Sequence, residues 1–454
     1  MSQNTSRSKR GKRRKNKKAL SMGKVIKLNH ITKIEGHARL DVKIENGVIK
    51  KCDLNIFEGN RFFEGIMQCE KFNELPPIGA RICGVCSVVH LLTSTKAVEN
   101  ALNLKVSRQT ELLRELIHLG GIIQSHVLHL YFLALPDYYG FDSAIKMASK
   151  HKDKISRALR MKKLGNLIVN IVGGRDVHPL TVVIGGISKF PTEDEMCSLK
   201  SELKKARKDF VQTVELFNSL KHPDFEFCVD YYALTDKKRY DLYDGKIHGL
   251  VHKEDDKECT SLCTIPTQDY EKHMNEFFQE KSTAEFAVMR GKTYMVGALP
   301  RICLNYEKLP KNIRKYIKFK LPSYNPFHNL NAQAIESLWC IDRCIEIIDK
   351  LGKIKKQKPK TYTVSAKKGI GASEAPRGIL FHNYTLDKQG YCKKANITTP
   401  TSQNLRCMQE SVRAFLPTIL DKDKEEIKLD VEKLIRAYDP CISCSTHFLE
   451  MNWE

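Results

Sequence analysis

Two Cys-x-x-Cys pairs, one near each end of a 454-residue chain, constrain the fold more than any other feature. Arg81-Ile-Cys-Gly-Val-Cys-Ser-Val-Val-His90 carries Cys83 and Cys86, and Asp439-Pro-Cys-Ile-Ser-Cys-Ser-Thr-His447 carries Cys441 and Cys444. A histidine follows each pair within four residues. Two such clamps offer four thiolates to one centre, a soft donor set that selects zinc, iron–sulfur or a late transition metal such as nickel. Taken singly, each pair also reads as a redox dithiol or as two buried cysteines packed as small hydrophobes. Structural zinc sites draw their pairs from one short module. A separation of about 350 residues argues instead for a site buried at the centre of a large domain.

With 41% hydrophobic residues the chain can bury a substantial core. It has no run of 18 apolar residues, so no membrane span is expected. The N-terminal basic run leads into no apolar segment, so no signal peptide is expected either. Fifteen cysteines without a local framework fit a reducing compartment, the cytoplasm. Cys340 and Cys344, and Cys259 and Cys263, read as packing or loop residues. Of the net charge of +23, nine positive residues fall in Arg7–Lys18, leaving about +14 on the body. A basic tail can bind nucleic acid, an anionic membrane or an acidic partner; here residues 1–23 read as a solvated, disordered extension.

Along the chain, Lys24–Ile31, Ala38–Ile44 and Val48–Phe57 alternate as strands do, with Asn46-Gly47 as a hairpin turn. Helical periodicity governs Leu91–Leu102 and Thr110–Leu135 and continues to about Lys163. It returns in Glu193–Leu220 and Asn331–Leu351, while Glu226–Val251 is strand-like and Lys253–Glu258 reads as a charged surface loop. His126 and His129, three apart on an apolar helix, read as core histidines rather than ligands. The glycines of Gly173-Gly-Arg-Asp-Val-His178 belong to no strand–GxGxxG–helix unit, so no nucleotide site is expected in this chain.

The two cysteine motifs resemble the metal-binding motifs of the large subunit of nickel–iron hydrogenases. The likeness runs from about residue 24 to the end, through Ile34-Glu-Gly-His37, Arg61-Phe-Phe-Glu64, Gly173–Pro179, Tyr294–Arg301, Glu374-Ala-Pro-Arg-Gly378 and Ala395–Thr401. It is most similar to the cytoplasmic, bidirectional, NAD(P)-linked enzymes and the sulfhydrogenase alpha subunits. This implies an α+β fold, a helical bundle around a buried metal site with small peripheral sheets. The domain spans 24–447, between the basic tail 1–23 and a peptide, 448–454, removed on maturation.

By motif position, the resemblance makes Cys83 and Cys441 terminal thiolates on nickel, and Cys86 and Cys444 bridges from nickel to an iron carrying carbon monoxide and two cyanides. By the same resemblance Cys441 takes the proton from dihydrogen and hands it to Glu35, while Arg377 hangs over the open metal position and orients the substrate. Glu64, the carbonyl of Ile397 and His447 hold magnesium; His90, His126 and Asp439 surround the centre, and Thr401 contacts a cyanide on what resembles a strand. Some relatives carry an acid where Ser125 stands, a departure that bears on a side branch of the proton network. No cysteine set remains for an iron–sulfur wire, and no flavin or nucleotide site is implied. The implied partners are therefore an iron–sulfur small subunit, flavin/NAD(P)-binding and ferredoxin-like subunits, a maturation protease and nickel-insertion proteins. A heterodisulfide-reductase or deazaflavin module is the alternative electron partner. A zinc-containing nucleic-acid-binding protein is the remote rival, and it would bind nucleic acid in a salt-sensitive way.

Overall fold

The computed structural model describes residues 24–46, 48–252 and 259–447. The basic tail, Gly47 of the expected hairpin turn, the charged loop 253–258 and the C-terminal peptide 448–454 lie outside the described residues.

The chain opens with an antiparallel meander, β1 (Lys24–Leu28), β2 (Ala38–Glu45) and β3 (Val48–Ile56). Alternate residues Leu40, Val42 and Ile44 of β2 face the core and their neighbours face out, as the period-two pattern requires. A short helix, α1 (Phe63–Met67), precedes the first cysteine pair.

Then come the helices of the core: α2 (Ser87–Ala101), α3 (Arg108–Leu128), α4 (Lys152–Gly173) and α5 (Glu193–Asn218). Ser107 caps α3 by accepting the Thr110 N–H, and Thr192 with Glu195 forms a capping box on α5. Nearly every side chain of α3 beyond its first turn is buried, because α4 and the long helix α6 (His328–Leu351) flank it. The stretch Arg108–Tyr138 is long and apolar enough to cross a bilayer by length and composition, but 83% of its apolar window is buried inside the protein. It is the spine of the bundle, which is why its hydrophobicity runs all round rather than along one stripe. The helix predicted to continue to Leu135 widens into a π-type turn over His129–Ala134. Such turns reposition side chains near functional sites.

The remaining sheets are small, and one of them is buried rather than peripheral. Strands β4 (Asp230–Thr235), β5 (Lys246–His252) and β6 (Cys259–Ile265) form an antiparallel ladder, so Cys259 and Cys263 lie on a strand rather than in a loop. Met274–Phe278 pairs with Glu285–Met289. The third sheet consists of β7 (Lys368–Ala375), β8 (Gly378–Leu386) and β9 (Cys392–Asn396). Strand β7 lies directly on α2. A Cβ at Gly369 would stand 2.1 Å from the Ala97 carbonyl oxygen, and one at Gly371 2.3 Å from that of Thr93. Only glycine permits this backbone-to-backbone approach. Two last helices, α7 (Pro400–Phe415) and α8 (Lys424–Ala437), deliver the chain to the second cysteine pair. The fold is the expected α+β arrangement of a helical core with small sheets, but β7 and β8 are buried against α2 rather than peripheral, because their glycines let them pack directly on its backbone.

Candidate metal centre

The fold brings the two cysteine pairs together at one buried point. Cys83 follows a short 3-10 turn, and Cys86 stands at the N-terminal end of α2. Cys441 immediately precedes another single turn after α8, and Cys444 lies within it. All four sulfurs lie within 4.8 Å of one another. Cys83 is 3.4 Å from Cys441, Cys86 is 3.2 Å from Cys444, and Cys441 is 3.1 Å from Cys444. None of the four is more than 6% exposed. Each short distance joins the two motifs or closes the second, so the site does not exist until the chain ends meet.

The electrostatics fit a cationic occupant. Hydrogen bonds from Cys441, then from Cys444 and Cys86, hold the Cys83 thiol well below its ordinary range. The same network pushes Cys441 well above it. Without a cation the cluster therefore supports one thiolate among thiols, because buried like charges at contact distance repel. Four thiolates here require a metal, whose binding releases the remaining protons.

Arg377 reaches the cluster from the tip of a two-residue hairpin turn, since Ala375 pairs with Gly378 across it. Its Nε donates to the Asp439 carbonyl oxygen at 2.5 Å, one terminal nitrogen to Asp439 Oδ1 at 2.9 Å and the other to Ser125 Oγ at 3.1 Å. Burial opposes its charge, but Asp439 and the nearby thiols more than offset it and hold its pKa above the usual value. Asp439 itself adopts φ 53° and receives the Gln333 amide on its other oxygen at 3.0 Å. Behind this, Arg301 grips Glu336, Glu374 and the Ala375 and Pro376 carbonyls, fixing the turn that carries Arg377. His126 is in that rear layer: it bonds Glu336 at 2.6 Å, and burial holds its pKa down. His129, through Gln333 and the Arg436 carbonyl, braces the same segment.

Glu35 meets the second motif. A parallel bridge pairs it with Cys441, and its carbonyl accepts the Ile442 N–H at 2.9 Å. Its carboxylate accepts the Ser443 N–H at 2.9 Å and the Ser443 hydroxyl. Gly36, at φ 84°, makes room: a Cβ there would stand 2.6 Å from Ile442 Cβ.

His90 lies with its Nε2 3.9 Å from Cys444 Sγ, and burial pushes its pKa to about 3. Thr401 lies in the first turn of α7, not on a strand, because β9 ends at Asn396 and Pro400 opens the helix. Its hydroxyl accepts the Cys441 N–H at 3.0 Å.

A second, harder donor set adjoins the thiols. His447 Nε2 is 2.5 Å from the Ile397 carbonyl oxygen and 3.7 Å from Glu64 Oε1. Glu276, on the strand Met274–Phe278, lies close enough to feel the charges of Glu64 and His447. Burial, with Glu64 nearby, raises the Glu276 pKa. One of its oxygens accepts from Asn396 at 3.1 Å, and the other, Oε1, has no well-aligned hydrogen-bond partner. Carboxylates, a carbonyl and an imidazole gathered in one buried region are donors that suit a small hard cation. No sequence signal pointed to Glu276, a single acid in a short strand with no motif around it.

These residues sit on a fold and in motifs that define a class. The sequence profile of the nickel-dependent hydrogenases matches residues 61–159 and 246–447, and the chain belongs to that family. It is a hydrogenase large subunit carrying the four-cysteine cluster of a nickel-dependent enzyme. Among its relatives is the sulfhydrogenase 1 alpha subunit of Pyrococcus furiosus, 37% identical over 94% of this chain and 98% of that one. The beta subunit of the NAD-reducing hydrogenase HoxS of Cupriavidus necator is 26% identical over 94% of this chain and 96% of its own length. The crystal structure of an NAD+-reducing nickel–iron hydrogenase in its H2-reduced state superposes with a TM-score of 0.82 at 23% identity, covering 93% of this chain and 99% of that one.

Proposed function

We propose that this chain is the catalytic subunit of a nickel–iron hydrogenase that cleaves dihydrogen reversibly and exchanges the electrons, through an iron–sulfur small subunit, with NAD(P). The observation that carries the reading is the meeting of four buried sulfurs from motifs 358 residues apart. Cys83 and Cys441 would hold nickel alone, and Cys86 and Cys444 would share it with an iron bearing carbon monoxide and two cyanides. When bound, the metal pair supplies the Lewis acidity that makes dihydrogen acidic enough to lose a proton to a nearby base.

The residues of the chain do the rest. Cys441 Sγ receives the proton, and Glu35, tied to the same backbone segment, takes it onward. Arg377 keeps its own proton and presents a fixed positive charge to the dry site, oriented by Asp439 and Ser125. Glu64, the Ile397 carbonyl and His447 would hold magnesium, with Glu276 beside them. His90, His126 and Asp439 support the centre, and Thr401 fixes Cys441 and would contact a cyanide.

The similarity to a sulfhydrogenase alpha subunit and to a subunit of an NAD-reducing enzyme supports NAD(P) as the electron partner and further flavin and ferredoxin-like subunits. Maturation would need nickel-insertion proteins and a protease cutting after His447 to release 448–454. The cysteine usage suits a cytoplasmic enzyme. An infrared spectrum of the complex purified from its native host tests the reading. Bands of metal-bound carbon monoxide and cyanide are expected; their absence in protein already cut after His447 overturns it.

A further inference from the structure

A row of buried hydrogen bonds leads away from the cluster through residues that neither Glu35 nor Arg377 touches. His90 faces Cys444 Sγ through Nε2 at 3.9 Å. Its other nitrogen, Nδ1, is 3.0 Å from His382 Nε2. His382 Nδ1 is 2.6 Å from the Tyr384 hydroxyl, which is 2.8 Å from Ser94 Oγ. All four side chains are buried. The packing is tight enough to hold them: a Cβ at Gly79 would stand 3.3 Å from His382 Cε1 and 3.4 Å from Ser94 Cβ.

Each imidazole in such a row, when neutral, carries one proton, so the row has only two polarities. A thiol at Cys444 would donate to His90 and send every later hydrogen bond toward Ser94. A metal-held thiolate has no proton to give, so His90 Nε2–H donates to the sulfur. His90 Nδ1 must then accept from His382 Nε2–H, His382 Nδ1 from the Tyr384 hydroxyl, and Tyr384 from Ser94. Both rings are enclosed and neither pairs with a carboxylate, the setting in which an imidazole stays neutral.

We infer that Tyr384, with Ser94, is a positioning residue that acts through His382 and His90 to set the strength of the hydrogen bond donated to the bridging sulfur of Cys444, and thereby the electron density the sulfur gives the metals. The inference rests on the proposed role of Cys444. Donors aligned in one direction polarise one another, by about 10–30% per bond, and partners beyond the ligands tune a metal in this way. A stronger hydrogen bond to sulfur draws density from the metals, weakens their back-donation to carbon monoxide and raises its stretching frequency.

The test is the infrared spectrum of the intact complex carrying Tyr384→Phe, Ser94→Ala, or a fluorinated tyrosine at position 384. Tyr384→Phe removes the donor to His382 and is expected to lower the carbon monoxide and cyanide bands; Ser94→Ala is expected to lower them less. The fluorinated tyrosine has a more acidic hydroxyl of nearly unchanged shape and is expected to raise them. Opposite signs are a signature that loosened packing does not produce. Bands that stay at the wild-type positions, or move in the same direction in all three variants, overturn the relay. So does failure of Tyr384→Phe and Ser94→Ala to assemble the site at all, since a tuning row is not needed for assembly. Mature wild-type complex without the bands overturns the proposed function, and this inference with it.

Discussion

Cys444 and His447 are three residues apart, yet they serve chemically opposite neighbourhoods. The first belongs to a set of four sulfurs with no carboxylate among them. The second belongs to a set of oxygens and one imidazole: Glu64, Glu276, the Ile397 carbonyl and His447. Soft donors select a late transition metal and hard donors a small divalent cation. The two sets share one short segment of chain, and His447 Nδ1 bonds the Cys444 carbonyl between them. The contrast teaches that one turn of backbone can contribute to two chemically distinct donor sets, provided different parts of the fold supply the remaining donors. The sulfur set is completed by the start of α2, and the oxygen set by α1, the Met274–Phe278 strand and the end of β9.

The sharpest way to break the comparison is to harden the soft site. Cys441→Ser replaces a thiolate by a hydroxyl that does not ionise near neutral pH. Nickel content and dihydrogen turnover are expected to fall to background. Nickel retained at wild-type stoichiometry would show that the remaining sulfurs suffice. Glu35→Gln should separate assembly from turnover. Nickel and the infrared bands are expected to remain, while dihydrogen oxidation falls by about 10²–10⁴-fold, the scale of a lost proton acceptor. Equal losses of nickel and activity would make Glu35 a structural residue instead.

The sulfur set was legible in the sequence because each half is a compact motif, and spacing alone marks a clamp. Glu35, Glu64 and Arg377 were legible only through resemblance, since an isolated acid or arginine has no signature of its own. Glu276 was not legible at all. It joins the site through β-strand pairing and burial, and neither leaves a local trace. The secondary structure followed the same rule. The helices expected over Glu193–Leu220 and Asn331–Leu351 fell within a few residues of the observed Glu193–Asn218 and His328–Leu351, whereas the one expected to end near Lys163 runs on to Gly173. The π-type turn at His129–Ala134 and the helical setting of Thr401 depend on tertiary packing and on Pro400, and were missed.

Glu64→Gln should disable the hard site and spare the soft one. Magnesium content is expected to drop and activity to fall by about 10–100-fold, the usual range for residues supporting a metal, with the infrared bands retained. Loss of the bands together with magnesium would mean that the two sets fold as one unit.

The smallest expected effect concerns Glu276 and pH. Burial raises its pKa in the folded protein above the ordinary value of 4.5. An acid of this kind favours the fold while both states are protonated. As pH rises past the ordinary carboxylate range the unfolded chain ionises first, and stability is lost until the folded carboxyl ionises too. Magnesium-free protein should therefore lose melting temperature as pH climbs through that window, and Glu276→Gln should lose less. Magnesium should reverse the order, stabilising the wild-type protein more than the variant, because a bound cation favours the ionised carboxylate that burial disfavours. Parallel pH profiles for the two proteins, with equal gains from magnesium, would remove Glu276 from the hard site and leave that site to Glu64, His447 and the Ile397 carbonyl.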